Sequence, residues 1–181
     1  EPEKRYECYP HELSGGLRQR VMIAMAMICR PKLLIADEPT TALDVTVEAQ
    51  ILELMKNLRD EIGTSIILIS HNLGVVAELC DYVHAMYAGR IVEQAETFEL
   101  FDHPRHPYTV GLMNARASLE QQQSVLDTIP GTVPNLAALP EGCSFAPRCA
   151  QCGGRCHECT PELTEVLPGH FVRCHLAQKG V

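Results

Sequence analysis

The sequence predicts an α/β domain followed by a loop-rich, cysteine-bearing extension, and three observations carry that prediction. Two short apolar runs, LLIAD at 33–37 and SIILIS at 65–70, have the length and flanks of buried parallel strands. Helical spacing fills 45–62 and recurs at 73–79, which gives the strand–helix order of a βαβ unit. From Pro130 onward Pro and Gly recur, and six of the nine cysteines lie between Cys143 and Cys174.

Taken in order, the elements have local reasons. Ser14 is a good N-cap, and Leu17, Val21, Ala24 and Ile28 mark one face of a helix that Arg30 and Pro31 stop. Lys32 leads into LLIAD, which an acidic residue and a turn close. Val47, Ile51, Leu54, Met55 and Leu58 then mark a second helix ending at Gly63. After SIILIS and the helix at 73–79, DYVHAMYAGRIVE reads as two strands joined at Ala88 and Gly89. Beyond Glu93 the pattern changes to short helices at 97–101 and 108–117, parted by HPRHP, and a polar spacer at 121–123. A soft boundary falls near residue 95, dividing 1–95 from 96–181, and a clearer one near residue 125; no internal repeat is visible.

Bulk properties exclude several classes. A formal charge of −8 argues against a nucleic-acid groove, which needs a basic face. The longest unbroken apolar run, 21–29, is too short for a bilayer-spanning helix of about 20 residues, so membrane association is expected to go through a partner. The start, EPEKRYECYP, has neither an initiator Met nor a signal-peptide core and is expected to be an internal cut. Helix-rich apolar runs argue against a secreted disulfide scaffold, and a metal or cluster site fits the cysteines better.

Three stretches carry chemistry. In LSGGLRQR at 13–20, two glycines open a helix, so uncovered N–H groups, the helix dipole and the Ser14 hydroxyl make an anion site suited to a terminal phosphate; a bare SGG would equally be a plain helix start. LLIADEPTTALD at 33–44 delivers two carboxylates to the C-terminal tip of a strand, where open α/β sheets bind ligands. There Asp37 suits Mg²⁺, Glu38 suits orienting or deprotonating a water, and Asp44 suits either the site or a helix N-cap. His71 stands just past the second strand and shares the edge of Asp37 and Glu38 if the two strands are neighbours. It is then placed for a γ-phosphate or the attacking water, or for a purely structural hydrogen bond.

Together these residues resemble the ABC ATPase family: LSGGLRQR the signature motif, LLIADEP the Walker B strand, TALD the D-loop and His71 the switch histidine. The resemblance covers about 9–93 and implies the C-terminal half of a P-loop, ABC-type ATPase domain using ATP and Mg²⁺. It further implies that Ser14, Gly15, Gly16 and Gln19 of the signature meet the nucleotide of a second ATPase subunit. Glu38 and His71 are then catalytic, with Asp37 and Asp44 at the nucleotide. No GxxxxGK[ST] loop occurs in the 181 residues, nor any Q-loop or adenine-stacking aromatic, so the chain alone is expected not to hydrolyse ATP.

The tail narrows the resemblance. HPYTVGLMNA, IPGTVPNL, EGCSFAPRC and PGHFVRCHL are similar to the C-terminal extension of oligopeptide and dipeptide importer ATPases. That likeness implies an iron–sulfur cluster on Cys143, Cys149, Cys156 and Cys174, spaced C-x5-C-x6-C-x17-C. Spacing alone leaves zinc as the alternative. Cys152 and Cys159 add C-x2-C pairs and are taken as spare or alternative ligands. His157, His170 and His175 are read as surface residues, and Cys8, Cys29 and Cys80 as small hydrophobes. The implied partners are transmembrane permease subunits and, indirectly, an extracytoplasmic solute-binding protein, with the chain peripheral on the cytoplasmic face of the membrane. A different class stays open: a non-catalytic, metal-bearing interaction module around a relic half-ATPase. An α/β half of this kind is also expected to expose apolar sheet surface.

Overall fold

The computed structural model describes residues 5–120 and 128–180, so the polar spacer at 121–123 and the boundary near 125 lie outside the described residues. The chain divides into two compact units, Glu1–Cys80 and Asp81–Val181.

In the first unit, helix α1 (Gly15–Met27) starts where the Ser14 hydroxyl oxygen accepts the Leu17 N–H at 3.4 Å. Strand β1 (Leu33–Asp37) follows, then helix α2 (Val45–Ile62), strand β2 (Ser65–Ile69) and helix α3 (Leu73–Leu79). The Asp44 carboxylate accepts the Val47 N–H at 2.9 Å and caps α2, which ends on Gly63 in the left-handed region at φ 71°. Glycine alone reaches that conformation without a Cβ penalty. Strands β1 and β2 pair in parallel from Leu33↔Ser65 to Asp37↔Ile69, with α2 as their crossover. Ile23, Met27, Ile51, Leu52, Met55, Val75 and Leu79 form the core on one side of this pair.

Two expectations change here. The buried face of α1 is Ile23 and Met27, whereas Val21 and Ile28 are exposed. Residues 21–29 are apolar all round, so periodicity has no polar face from which to select a direction. The strands are also not buried on both sides. Leu33, Ile35, Ile67 and Ile69 are exposed, which leaves one apolar face of the two-stranded sheet open. Alternation along a parallel strand hides this, because both faces carry the same residue types.

The second unit is an antiparallel sheet in the order β3–β4–β6–β5. Strands β3 (Tyr82–Tyr87) and β4 (Arg90–Glu96) form the expected hairpin, turning through Ala88 and Gly89, both at positive φ, as a tight hairpin requires. They pair in this sheet rather than extending β1–β2. Helices α4 (Thr97–Asp102) and α5 (Pro107–Glu120) follow. The extension then holds a short helix, α6 (Gly154–Glu158), and a hairpin of β5 (Thr164–Leu167) and β6 (His170–Val172) turning at Gly169, φ 77°. This hairpin was not legible as strand, since only four and three residues make it. Tyr87, Val92 and Phe145 form one core; Val166, Val172 and Cys174 form another.

Candidate functional site

The parallel register settles where the two motifs of the α/β unit meet. Asp37 stands opposite Ile69, and the Glu38 N–H donates to the Ile69 carbonyl at 2.9 Å, so both strands end level. Two residues further on, the His71 Nδ1 lies 3.0 Å from Glu38 Oε1. The condition that the strands be neighbours is met, and the histidine shares the carboxylate edge. Thr41 donates its hydroxyl to the other Glu38 oxygen at 2.8 Å. Glu38 is therefore gripped on both oxygens.

That grip has a backbone and an electrostatic consequence. Glu38 sits at φ 46° and Ala42 at φ 63°, so the DEPTTA turn holds two non-glycine residues in the left-handed region. Such conformations cost of order 1–3 kcal/mol each and persist where surrounding contacts impose them, as at ligand edges. The hydrogen bonds from His71 and then Thr41 hold the Glu38 carboxyl below its ordinary range, against a smaller opposing effect of burial. An ionised Glu38 accepts only, so the His71 Nδ1 carries the shared proton and its Nε2 is left for a ligand. Both side chains remain open to solvent. Asp37 is exposed at the strand tip beside them.

The other predicted residues fall into distinct roles. Ser14, Gly15 and Gly16 open α1 with exposed or half-exposed backbone, and Gln19 lies half-buried in the next turn. A Cβ on Gly16 would stand 2.5 Å from Val47 Cγ1, whereas one on Gly15 would meet only Leu43 Cδ2 at 3.4 Å. Gly16 is thus required by the packing of α1 on α2, whereas the packing leaves room beside Gly15. Asp44 takes the N-cap role. The residue that sequence reasoning missed is Thr41; its signal was the TT following DEP, a hydroxyl within reach of the turn.

In the extension, the candidate thiols influence one another. Burial pushes the Cys143 thiol up, and neighbouring Cys156 and Cys174 push the same way. Cys149 is raised by burial first, then by Cys174, Cys152 and Cys143. The Cys143 N–H donates to the Cys156 carbonyl at 2.8 Å, and a Cβ on Gly142 would run into that carbonyl. The Cys152 thiol is raised by burial first, then by Cys156 and Cys143. Even so, among the described residues no group of three or more His, Cys, Asp or Glu is arranged to hold a metal ion.

Three further expectations are corrected. His170 and His175 are buried, not surface residues, and only His157 is exposed, 3.2 Å from Cys152 Sγ through its Nε2. The Cys159 carbonyl accepts from His175 Nε2 at 3.0 Å. Cys29 is exposed, so it does not act as a core hydrophobe.

Comparison with known proteins places this geometry. Residues 2–41 match the ABC transporter family, a stretch that holds the Ser-Gly-Gly helix start, β1 and the Glu38 turn. The class is that of ABC ATP-binding proteins. Residues 92–156 match the oligopeptide/dipeptide transporter C-terminal region. The probable peptide ABC transporter ATP-binding protein y4tR of Sinorhizobium fredii is 57% identical over 175 residues, 96% of this chain and 52% of that protein. The oligopeptide transport ATP-binding protein OppD of Haemophilus influenzae is 55% identical over 177 residues, 98% of this chain and 54% of that one. OppD of Escherichia coli is 54% identical over 174 residues, 96% and 51%. The chain belongs to this oligopeptide/dipeptide branch of the ABC ATP-binding family, and it spans about half the length of these relatives.

Proposed function

We propose that the chain supplies the signature and hydrolytic edge of an ATP-hydrolysing subunit that powers import of peptides or similar small solutes through a membrane transporter. The observation that carries this reading is Glu38, held at φ 46° by His71 and Thr41 at the common end of two parallel strands. With MgATP bound, Asp37 would hold the metal, Glu38 would orient and deprotonate the attacking water, and His71 would contact the γ-phosphate through its other ring nitrogen. Ser14, Gly15, Gly16 and Gln19 face the nucleotide of a second ATPase subunit, and Asp44 steadies the loop between. The remaining partners are permease subunits and, through them, a solute-binding protein; the names of the relatives support the peptide reading. No helix among the described residues is long and apolar enough to cross a membrane, so a peripheral seat on the cytoplasmic face would be held by the permeases.

Within the same reading, Cys143, Cys149, Cys156 and Cys174 are the candidate ligands for an iron–sulfur cluster, with zinc the alternative. Support comes from the match to the family's C-terminal region and from the backbone hydrogen bond that sets Cys143 beside Cys156. Iron, sulfide and zinc analysis of anaerobically purified protein tests it, and metal-free protein with full activity would remove it. ATP turnover by the natural polypeptide that carries this sequence, with and without Glu38→Gln, tests the hydrolytic edge.

A further inference from the structure

Among the described residues of the second unit, a fully buried ionisable side chain plays no part in the chemistry above. Glu93, on β4, is 0% exposed, and its carboxylate accepts the Arg105 N–H at 2.6 Å and the His106 N–H at 3.0 Å. It also lies 2.8 Å from His170 Nε2, on β6, while His170 Nδ1 lies 3.2 Å from Glu99 of α4. His170 is 1% exposed. Both ring nitrogens therefore face carboxyl oxygens, one on β4 and one on α4. Unpaired, a charge at this depth would cost several kcal/mol, which is why the ring and two acids occur together.

The backbone alone attaches β6 weakly. Its ladder to β4 has two register pairs, Glu93↔Val172 and Gln94↔Phe171. Beyond β6, Arg173 donates its N–H to Val92 and its Nε to Ile91, and the His106 ring hydrogen-bonds the Arg173 backbone. Cys174 comes next, buried, among the thiols that influence Cys143 and Cys149. The HPY stretch at 106–108 is thereby tied to both ends of β6: through Glu93 to His170, and through His106 to Arg173. The other ionisable groups around His170 are His103, 3.2 Å from Glu99, Glu96 and Tyr82 on the neighbouring strands, and Glu165, which accepts the Gly169 N–H.

We infer that Glu93 and Glu99 clamp the His170 ring between them, and that this clamp positions Cys174 beside the other C-terminal thiols. Glu93, Glu99 and His170 are positioning residues, acting through the β5–β6 hairpin whether or not the thiols carry a metal. The experiment uses the natural polypeptide. Long-range proton–nitrogen spectra of the His170 ring come first: Glu93→Gln and Glu99→Gln should each shift the ring nitrogen that they face, and ring signals that neither variant moves overturn the clamp. Pulse alkylation of Cys174 with iodoacetamide, mapped by mass spectrometry and normalised to unfolded protein, comes second. His170→Gln and Glu93→Gln should label Cys174 faster by roughly tenfold or more, the worth of one charged hydrogen bond, and Glu99→Gln by less. The double variant should label no faster than the worse single one. A folded His170→Gln that protects Cys174 like wild type overturns the inference. So does protection that vanishes only on chelation, because the metal and not the clamp would then hold the cysteine. Where Glu93→Gln does not fold, Glu99→Gln, at the more exposed partner, decides.

Discussion

Two adjacent glycines at the start of α1 are predicted to tolerate alanine very differently. A Cβ on Gly16 would lie 2.5 Å from Val47 Cγ1, deep inside van der Waals contact, and Val47 is β-branched and sits on the first turn of α2. Its χ1 is restricted in a helix, so relief requires the helices to move apart. Overpacking of this kind costs about 1–3 kcal/mol. A Cβ on Gly15 would meet only Leu43 Cδ2, at an ordinary 3.4 Å, and replacing glycine near a helix start by alanine gains about 0.5–1 kcal/mol of propensity. Gly16→Ala should therefore lower the urea midpoint, while Gly15→Ala should leave it level or slightly raised. ATP turnover should respond in reverse: Gly15→Ala should be impaired in a well-folded protein, because its methyl group stands where a nucleotide phosphate approaches the helix start. Equal stability loss in the two variants would refute the assignment of packing to one glycine and ligand approach to the other. So would full activity of Gly15→Ala.

Three other outcomes follow from the same contacts. Burial pushes His106 down to about 4 from an ordinary 6.5. The unfolded chain therefore binds the proton first, and stability falls as pH drops through 6.5 toward 4, by about 2 kcal/mol between pH 7 and pH 5; His106→Gln should flatten that slope in urea melts. Asp44→Ala removes the cap of α2 and should cost about 1 kcal/mol, with Asp44→Asn retaining most of it, read as thermal midpoints. Thr41→Val keeps the shape of the turn but deletes one hydrogen bond to Glu38, so the Glu38 carboxyl should titrate higher than in wild type by carboxylate-detected NMR.

What the sequence disclosed, and what it hid, follows the range of the forces involved. Helix α2 was legible to the residue because its cap, periodicity and terminal glycine are all local. The meeting of Glu38 with His71 was legible as a condition, since parallel pairing follows from the βαβ order. The buried face of α1 was not, because a helix apolar on every side gives no direction. Thr41 escaped notice because its role depends on a left-handed turn that no residue type announces. His170 and Glu93 stood as ordinary polar residues in the sequence, 77 positions apart, and only the β4–β6 pairing brings them into one buried contact.

The measurement closest to the central claim is single-turnover ATP hydrolysis by the natural polypeptide carrying Glu38→Gln, alongside equilibrium ATP binding. The side chain is nearly isosteric, so the turn and the His71 and Thr41 contacts can persist while the base is lost. Loss of a general base of this kind predicts a fall in rate of roughly 10²–10⁴-fold with nucleotide affinity retained. A rate within a few-fold of wild type would contradict the account and place the hydrolytic chemistry elsewhere.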